Sequence, residues 1–331
     1  MKFLKVFLPI FIPLCVYYFL VNHFIYPKGS PKSTRALASL NYIESVKNTE
    51  VDYLVMGDST AVYGINPAGL SKNSQSVSMI ASPVYTAYKI LEKLENIKIN
   101  KGILLTQTFI YDHYDLDIWG YFVPNKIYSF NDVLTIFCLE KKPACTIFEK
   151  LDIGTKYLLA RAYLNSYALD EIQDRLKYRD RNYAGMYAAY SKILRDNKGF
   201  FKKKRRELAE RSVFLEPLRE HFSMPLGSVP PAEIIYLRKI ITYAKERHIP
   251  LYYIIMPTAA YALDRGGATE PYRQSLKEFL KDDIGPDMQL VDTLPMEHLL
   301  NLGDFWDFNH VNDLGARKIE SFLRSQLHII N

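Results

Sequence analysis

Cysteine is scarce: three residues in 331, at positions 15, 138 and 145. They are too few for the disulfide framework of a small secreted domain. With no histidine pair at ligand spacing beside Cys138 and Cys145, they make no zinc site either. Glycine-rich phosphate loops and dinucleotide fingerprints are missing, which excludes the common nucleotide-binding designs. No helix-turn-helix, zinc-finger or RNA-binding signature accompanies the net charge of +6, so nucleic acid is not an expected partner. There is no internal repeat and no low-complexity tract. What is present is a chain long enough for one large domain or two ordinary ones, 48% hydrophobic, with 25 Tyr and 18 Phe. That composition excludes disorder. The aromatics suit core packing, and also carbohydrate stacking or membrane proximity.

The N-terminus reads "MKFLKVFLPIFIPLCVYYFLVNHFIYPKG". Lys2 and Lys5 precede an apolar run from Val6 to Val21, which Phe24, Ile25 and Tyr26 extend to the length a bilayer core requires. Pro9 and Pro13 would spoil a soluble helix but are tolerated in a membrane helix. No small-residue cleavage pattern follows the run, so residues 1–27 are expected to be an uncleaved signal anchor in the lipid bilayer. Lys28, Lys32 and Arg35 oppose the positive-inside rule. The signal-like character still favours a cytoplasmic N-terminus and an extracytoplasmic body. In an exported body Cys138 and Cys145 either form a disulfide across "LEKKPA" or stay as two buried thiols.

Residues 28–50 read as a juxtamembrane linker and a helix, followed by one domain over 51–331. In it strand signals ("DYLVMG", "KGILLTQTF", "IPLYYIIMP", "MQLVDT") alternate with helical ones. "ASPVYTAYKILEKLENI" is helical with Pro83 in its first turn, and "VNDLGARKIESFLRSQL" is the closing helix. The alternation predicts an α/β fold, a parallel sheet covered by helices. The stretch from about 118 to 228 lacks strand signals and reads as a helical insertion. It holds a basic run, Lys202 to Arg206, suited either to a solvated helix face or to anionic lipid or glycopolymer. His113 lies among Asp112, Asp115 and Asp117, a polar loop rather than a metal site, and Asp264 to Gly267 reads as a turn.

Two motifs carry chemistry. In "VMGDSTAVYG" a strand breaks at Gly57-Asp58-Ser59, which places Ser59 just beyond a strand end. In "GDFWDFNHVNDLGARKI" Asp307 and His310 are separated by two residues immediately before a helix. A serine hydroxyl is a weak nucleophile until a base takes its proton, and the base needs an acid to fix its tautomer and stabilise its cation. One turn can supply both helpers.

This pair of motifs resembles the SGNH (GDSL-type) hydrolase superfamily, over about 51–110 and 230–327. The resemblance implies a flavodoxin-like three-layer sheet, with Ser59 as nucleophile, His310 as general base, Asp307 as its orienting acid, and no metal or organic cofactor. The superfamily's second block normally offers a glycine N–H to the oxyanion hole. Here "SVSMIASP" has none, and Ile80 or Ala81 is left to donate. Its third block normally offers an asparagine. Here "TQTF" resembles the Gln-x-Phe of the DltD-like branch, which implies that Gln107 lines the site.

An N-terminal anchor with these blocks is similar to the DltD and alginate-acetylation groups, which act outside the membrane with membrane-bound O-acyltransferases. The expectation is therefore a membrane-anchored acyltransferase or esterase that acts on an acylated or acyl-accepting glycan of the cell surface or secretions. The rival expectation is a non-catalytic glycan-binding or scaffolding partner of such an O-acyltransferase.

Overall fold

The structure is a computed structural model that describes residues 12–13, 16, 31–107, 122–139, 145–161, 182–204, 231–259, 270–293, 299–307 and 309–329. Among these, no helix is long and apolar enough to cross a membrane. The apolar run at 6–26 lies outside the described residues except for positions 12, 13 and 16. The His113 cluster and the turn at 264–267 lie outside them as well.

The chain divides into two compact units, one of residues 39–112 and 192–331, the other of residues 1–38 and 113–191. The first holds an open five-stranded parallel sheet: β1 (Glu50–Gly57), β2 (Gln75–Ser76), β3 (Lys98–Thr106), β4 (Leu251–Ile255) and β5 (Met288–Asp292), in the order β2-β1-β3-β4-β5. Parallel strands need helical crossovers, and helices flank the sheet. Both faces are covered, as the continuous apolar runs require. Tyr53 and Val55 of β1 pack with Leu104, Ile254 and Val291 against Ala316, Ile319 and Leu323 of the closing helix. Leu54 and Met56, on the opposite face by alternation, are equally buried. Each such side chain contributes about 1.5–3 kcal/mol.

Two short helices, α2 (Ser59–Gly64) and α3 (Pro67–Leu70), follow β1. Next comes α4 (Val84–Lys93). Pro83 stands at its N-cap rather than inside its first turn and offers no side-chain cap. The fully buried Glu233 of α8 (Pro231–Glu246) supplies one instead, accepting the Val84 N–H at 2.7 Å. Tyr236 of α8 meets Tyr85 and Tyr88 of α4 edge-on at 6.0 and 5.5 Å. β3 ends at Thr106, paired with Gly57 at the end of β1; Gln107 follows it, and Thr108 and Phe109 of the "QTF" read as strand lie outside the described residues. The sheet is completed by α9 (Glu270–Leu280), before β5, and by α10 (Asp313–Gln326). Arg273 of α9, buried, pairs with Asp292 at the end of β5.

The described part of the other unit is helical. Its α5 (Phe130–Leu139) and α6 (Ile147–Arg161) are joined by a disulfide between Cys138 and Cys145. Val133, Ile136, Ile153 and Ala160 are buried there, while Phe148, Leu151 and Leu158 face outward along α6. Two further helices are α1 (Pro31–Val46) and α7 (Tyr183–Asp196).

Candidate active site

Ser59 sits where β1 stops, and the stop is built into Gly57-Asp58. Gly57 has φ +138°, in the region that glycine favours, and a Cβ there would lie 1.9 Å from the Thr106 carbonyl oxygen. The buried Asp58 is the N-cap of α2. Its carboxylate accepts the Thr60 N–H at 2.8 Å and the Thr60 hydroxyl at 2.6 Å. With the Thr60 proton committed to Asp58, the Thr106 hydroxyl donates to Thr60 Oγ1 at 2.7 Å and ties the turn to β3. Asp58 is thus a strut under Ser59. The nucleophile candidate lies partly exposed, at the C-terminal edge of the sheet beside the strand-order switch between β1 and β3.

Asp307 and His310 come from the turn before α10. A 3₁₀ turn at Leu302–Asp304 is closed by a capping box, in which Asn301 Oδ1 accepts the Gly303 N–H and Asp304 Oδ2 accepts the Asn301 N–H. Phe305 and Val311 then bridge antiparallel, and the Trp306 N–H donates to the His310 carbonyl at 2.8 Å. At the tip, Asp307 Oδ1 accepts the N–H groups of Asn309 at 3.1 Å and His310 at 2.9 Å. This local turn is why the two-residue spacing works: it sets the imidazole Nδ1 2.8 Å from both Asp307 oxygens.

The ring's other nitrogen, Nε2, lies 2.7 Å from Ser59 Oγ. With Nδ1–H donating to the carboxylate, Nε2 is left as the acceptor that faces the serine hydroxyl. Burial pushes the Asp307 carboxyl up. Its hydrogen bond and charge interaction with His310, together with the two backbone N–H groups, outweigh burial and hold it below the usual carboxylate range. Side chains of His310 and Asp307 remain 16% and 24% exposed, so a substrate can approach.

Asn312 is a residue that the sequence does not single out; in the structure it is the N-cap of α10. It is fully buried and uses both ends of its amide. Oδ1 accepts the N–H groups of Leu314 at 2.9 Å and Gly315 at 3.3 Å; Nδ2 donates to the carbonyls of Gly303 at 2.7 Å and Phe305 at 3.3 Å. It therefore locks the His310 turn to α10. Gly315 allows the close approach, since a Cβ there would lie 2.4 Å from the Asp304 carbonyl oxygen.

Ile80 and Ala81 lie on the loop after β2, which runs beside Ser59's turn: the Met79 N–H donates to the Gly57 carbonyl at 3.0 Å. Ala81 has φ +55°, the left-handed conformation that a glycine usually takes. The loop thus reaches by an alanine the backbone geometry for which a glycine is the ordinary signal. Gln107, buried directly beyond β3, donates from Nε2 to the Ser82 carbonyl at 3.0 Å, holding this same loop. Tyr63 of α2 packs its ring edge-on to His310, 5.0 Å between centroids. A cavity of about 280 Å³ is lined by Asn66, Lys202, Asp313, Arg317 and Glu320 among others, and by none of Ser59, Asp307 or His310. No group of metal-binding side chains occurs among the described residues.

No protein-family model and no curated protein matches the chain.

Proposed function

We propose that the protein is an SGNH-like serine acyltransferase or esterase acting on a glycan, anchored by its N-terminal run with its body outside the cytoplasm. The observation that carries the reading is the line of contacts Asp307–His310–Ser59, 2.8 Å at Nδ1 and 2.7 Å at Nε2. Ser59 Oγ attacks an acyl carbonyl while its proton passes to His310 Nε2, and Asp307 stabilises the imidazolium. The imidazolium then protonates the departing alkoxide, leaving an acyl-serine. A sugar hydroxyl or water attacks this ester and gives its proton to Nε2; as the bond to Ser59 Oγ breaks, Nε2 returns the proton to that oxygen and the acyl group leaves on its acceptor.

Further support comes from the strand order, which is that of flavodoxin-like folds, with Ser59 at the switch point where such sheets bind ligands. The disulfide Cys138–Cys145 favours an oxidising compartment and hence an exported body. In this reading the oxyanion and substrate-binding groups are Ser59 itself, the N–H of Ile80 or Ala81, and the amide of Gln107. Gln107 also keeps the loop of Ile80 and Ala81 in place. The partners would be the glycan and a membrane-bound O-acyltransferase that supplies or receives the acyl group.

The test is glycan acylation in cells that carry Ser59→Ala, with expression and membrane localisation verified. Loss or gain of acyl groups relative to wild type is expected, according to whether transfer or hydrolysis dominates. Unchanged acylation by a well-expressed variant favours the non-catalytic scaffold instead.

A further inference from the structure

Apolar side chains that face solvent are concentrated on one helix. Among the described residues thirteen large apolar side chains are exposed, and five of them belong to α6: Ile147, Phe148, Leu151, Leu158 and Leu159. At 3.6 residues per turn these positions share one stripe, which runs about 18 Å from the first turn of α6 to its last. Phe148 on it is 79% exposed and Leu158 67%. Singly exposed leucines are ordinary; a continuous stripe is not. The opposite side of α6 holds the helix in place. Ile153 and Ala160 are buried, Tyr157 packs its ring on Phe130 at 5.6 Å, and Arg161 Nη1 donates to the Val123 carbonyl at 3.3 Å. At its start, Glu149 Oε2 accepts the Thr146 N–H at 2.8 Å and the Glu149 N–H donates to Thr146 Oγ1 at 3.3 Å, a capping box. The stripe itself carries no charge. Glu149, Lys150, Asp152, Lys156 and Arg161 flank it or lie behind it, and Lys156 pairs with Asp152 at 2.9 Å. Its one polar member, Thr155, donates its hydroxyl to the Leu151 carbonyl at 2.9 Å, so that hydrogen bond is made within the helix.

We propose that α6 is an interfacial helix, whose apolar stripe lies at the boundary between headgroups and acyl chains of the bilayer that holds the N-terminal run. The inference rests on the reading of residues 6–26 as a membrane anchor. The length of the chain puts that bilayer within reach. Residues 27–30 alone separate the run from Pro31, where α1 begins, and five peptide steps extend at most about 18 Å. Residues 1–38 belong to the same compact unit as α6. The unit that carries the stripe is therefore the one tethered next to the lipid. With two acids against three bases on the helix, its pull toward anionic headgroups is small. What the stripe gains at a membrane is apolar burial, which is favourable in proportion to the area removed from water. A second point of attachment beside the anchor restricts the rotation of this unit about its tether.

The test reconstitutes the full-length protein in neutral phosphatidylcholine vesicles, at a dilution that leaves most of them with a single chain. Part of the lipid carries a diazirine in the upper portion of one acyl chain, and mass spectrometry after photolysis locates the lipid adducts. Adducts are expected within residues 6–26 and on the stripe of α6. Leu151→Ser combined with Leu158→Ser should reduce the α6 adducts about tenfold or more and leave those at 6–26 unchanged, because two apolar side chains leave the lipid contact. Replacing part of the lipid by phosphatidylserine should change the α6 yield by less than about twofold. Should the double variant fail to fold, the wild-type pattern decides: adducts should fall on Ile147, Phe148, Leu151, Leu158 and Leu159 and spare Ile153 and Ala160. Adducts spread evenly around α6, adducts that survive in the folded double variant, or adducts that require anionic lipid overturn insertion of the stripe. Adducts at 6–26 with none on α6 overturn the interfacial helix alone and leave the stripe to a protein partner. Adducts on α6 with none at 6–26 overturn the anchor reading alone, and adducts in neither place overturn both.

Discussion

Gly57 of β1 and Thr106 of β3 approach so closely that a single methyl group at 57 would collide with the Thr106 carbonyl oxygen. That contact fixes where β1 ends, and therefore where Ser59 stands. Gly57→Ala should destabilise the protein by about 3 kcal/mol or more, from the positive φ and the backbone clash together. Urea unfolding of the variant against wild type measures it.

Asn312 predicts a second large effect. Replacing it by alanine removes the cap of α10 and leaves the Gly303 and Phe305 carbonyls without its amide. A loss of about 2–3 kcal/mol is expected, from the cap and the buried carbonyls together. Asn312→Asp should restore the cap but not the donors, and so fall between alanine and wild type in the same unfolding assay.

Asp307 predicts a pH dependence. Its carboxyl is held below its ordinary range in the folded state. Its contribution to stability is therefore full above the unfolded pKa, about 3.9. It is lost as pH falls through the lower, folded value. Unfolding measured at pH 7, 4 and 3 should show wild type losing more stability than Asp307→Asn across the acid end. Parallel losses in the two proteins would contradict the hydrogen-bonded carboxylate.

Ala81 predicts a gain. A left-handed alanine is strained relative to glycine, while glycine costs more chain entropy on folding. Ala81→Gly should raise stability by up to about 1 kcal/mol. Ala81→Val should lower stability, because a β-branched residue resists positive φ. Thermal melts of the two variants compare them.

Much of the fold is legible in the sequence because its signals are local. The apolar runs of β1, β3, β4 and β5 announce buried parallel strands, and "VNDLGARKIESFLRSQL" announces the closing helix α10. β2 is not legible: it has two residues, Gln75 and Ser76, both polar, at an edge of the sheet. Gly57-Asp58-Ser59 and the Asp307–His310 spacing are visible as candidates, since each is a short turn with its own chemistry. How they meet depends on the sheet that carries them. Ala81 is hidden because a non-glycine gives no sign of positive φ. The Gln107–Ser82 bond joins segments far apart in sequence, and no periodicity records such a pair.

The central claim is that Ser59 is a nucleophile activated by His310. Incubation of the purified protein with a fluorophosphonate probe, followed by mass spectrometry of the labelled peptide, tests it most directly. One adduct is expected, on Ser59. It should be absent in Ser59→Ala and nearly absent in His310→Ala, and it should slow by roughly 10⁴-fold in Asp307→Asn if the triad behaves as in serine proteases. The Ser59→Ala/His310→Ala double variant should be no worse than Ser59→Ala, because such residues act as one unit. A folded wild-type protein that takes no label at Ser59, or a His310→Ala variant labelled at the wild-type rate, would contradict the account.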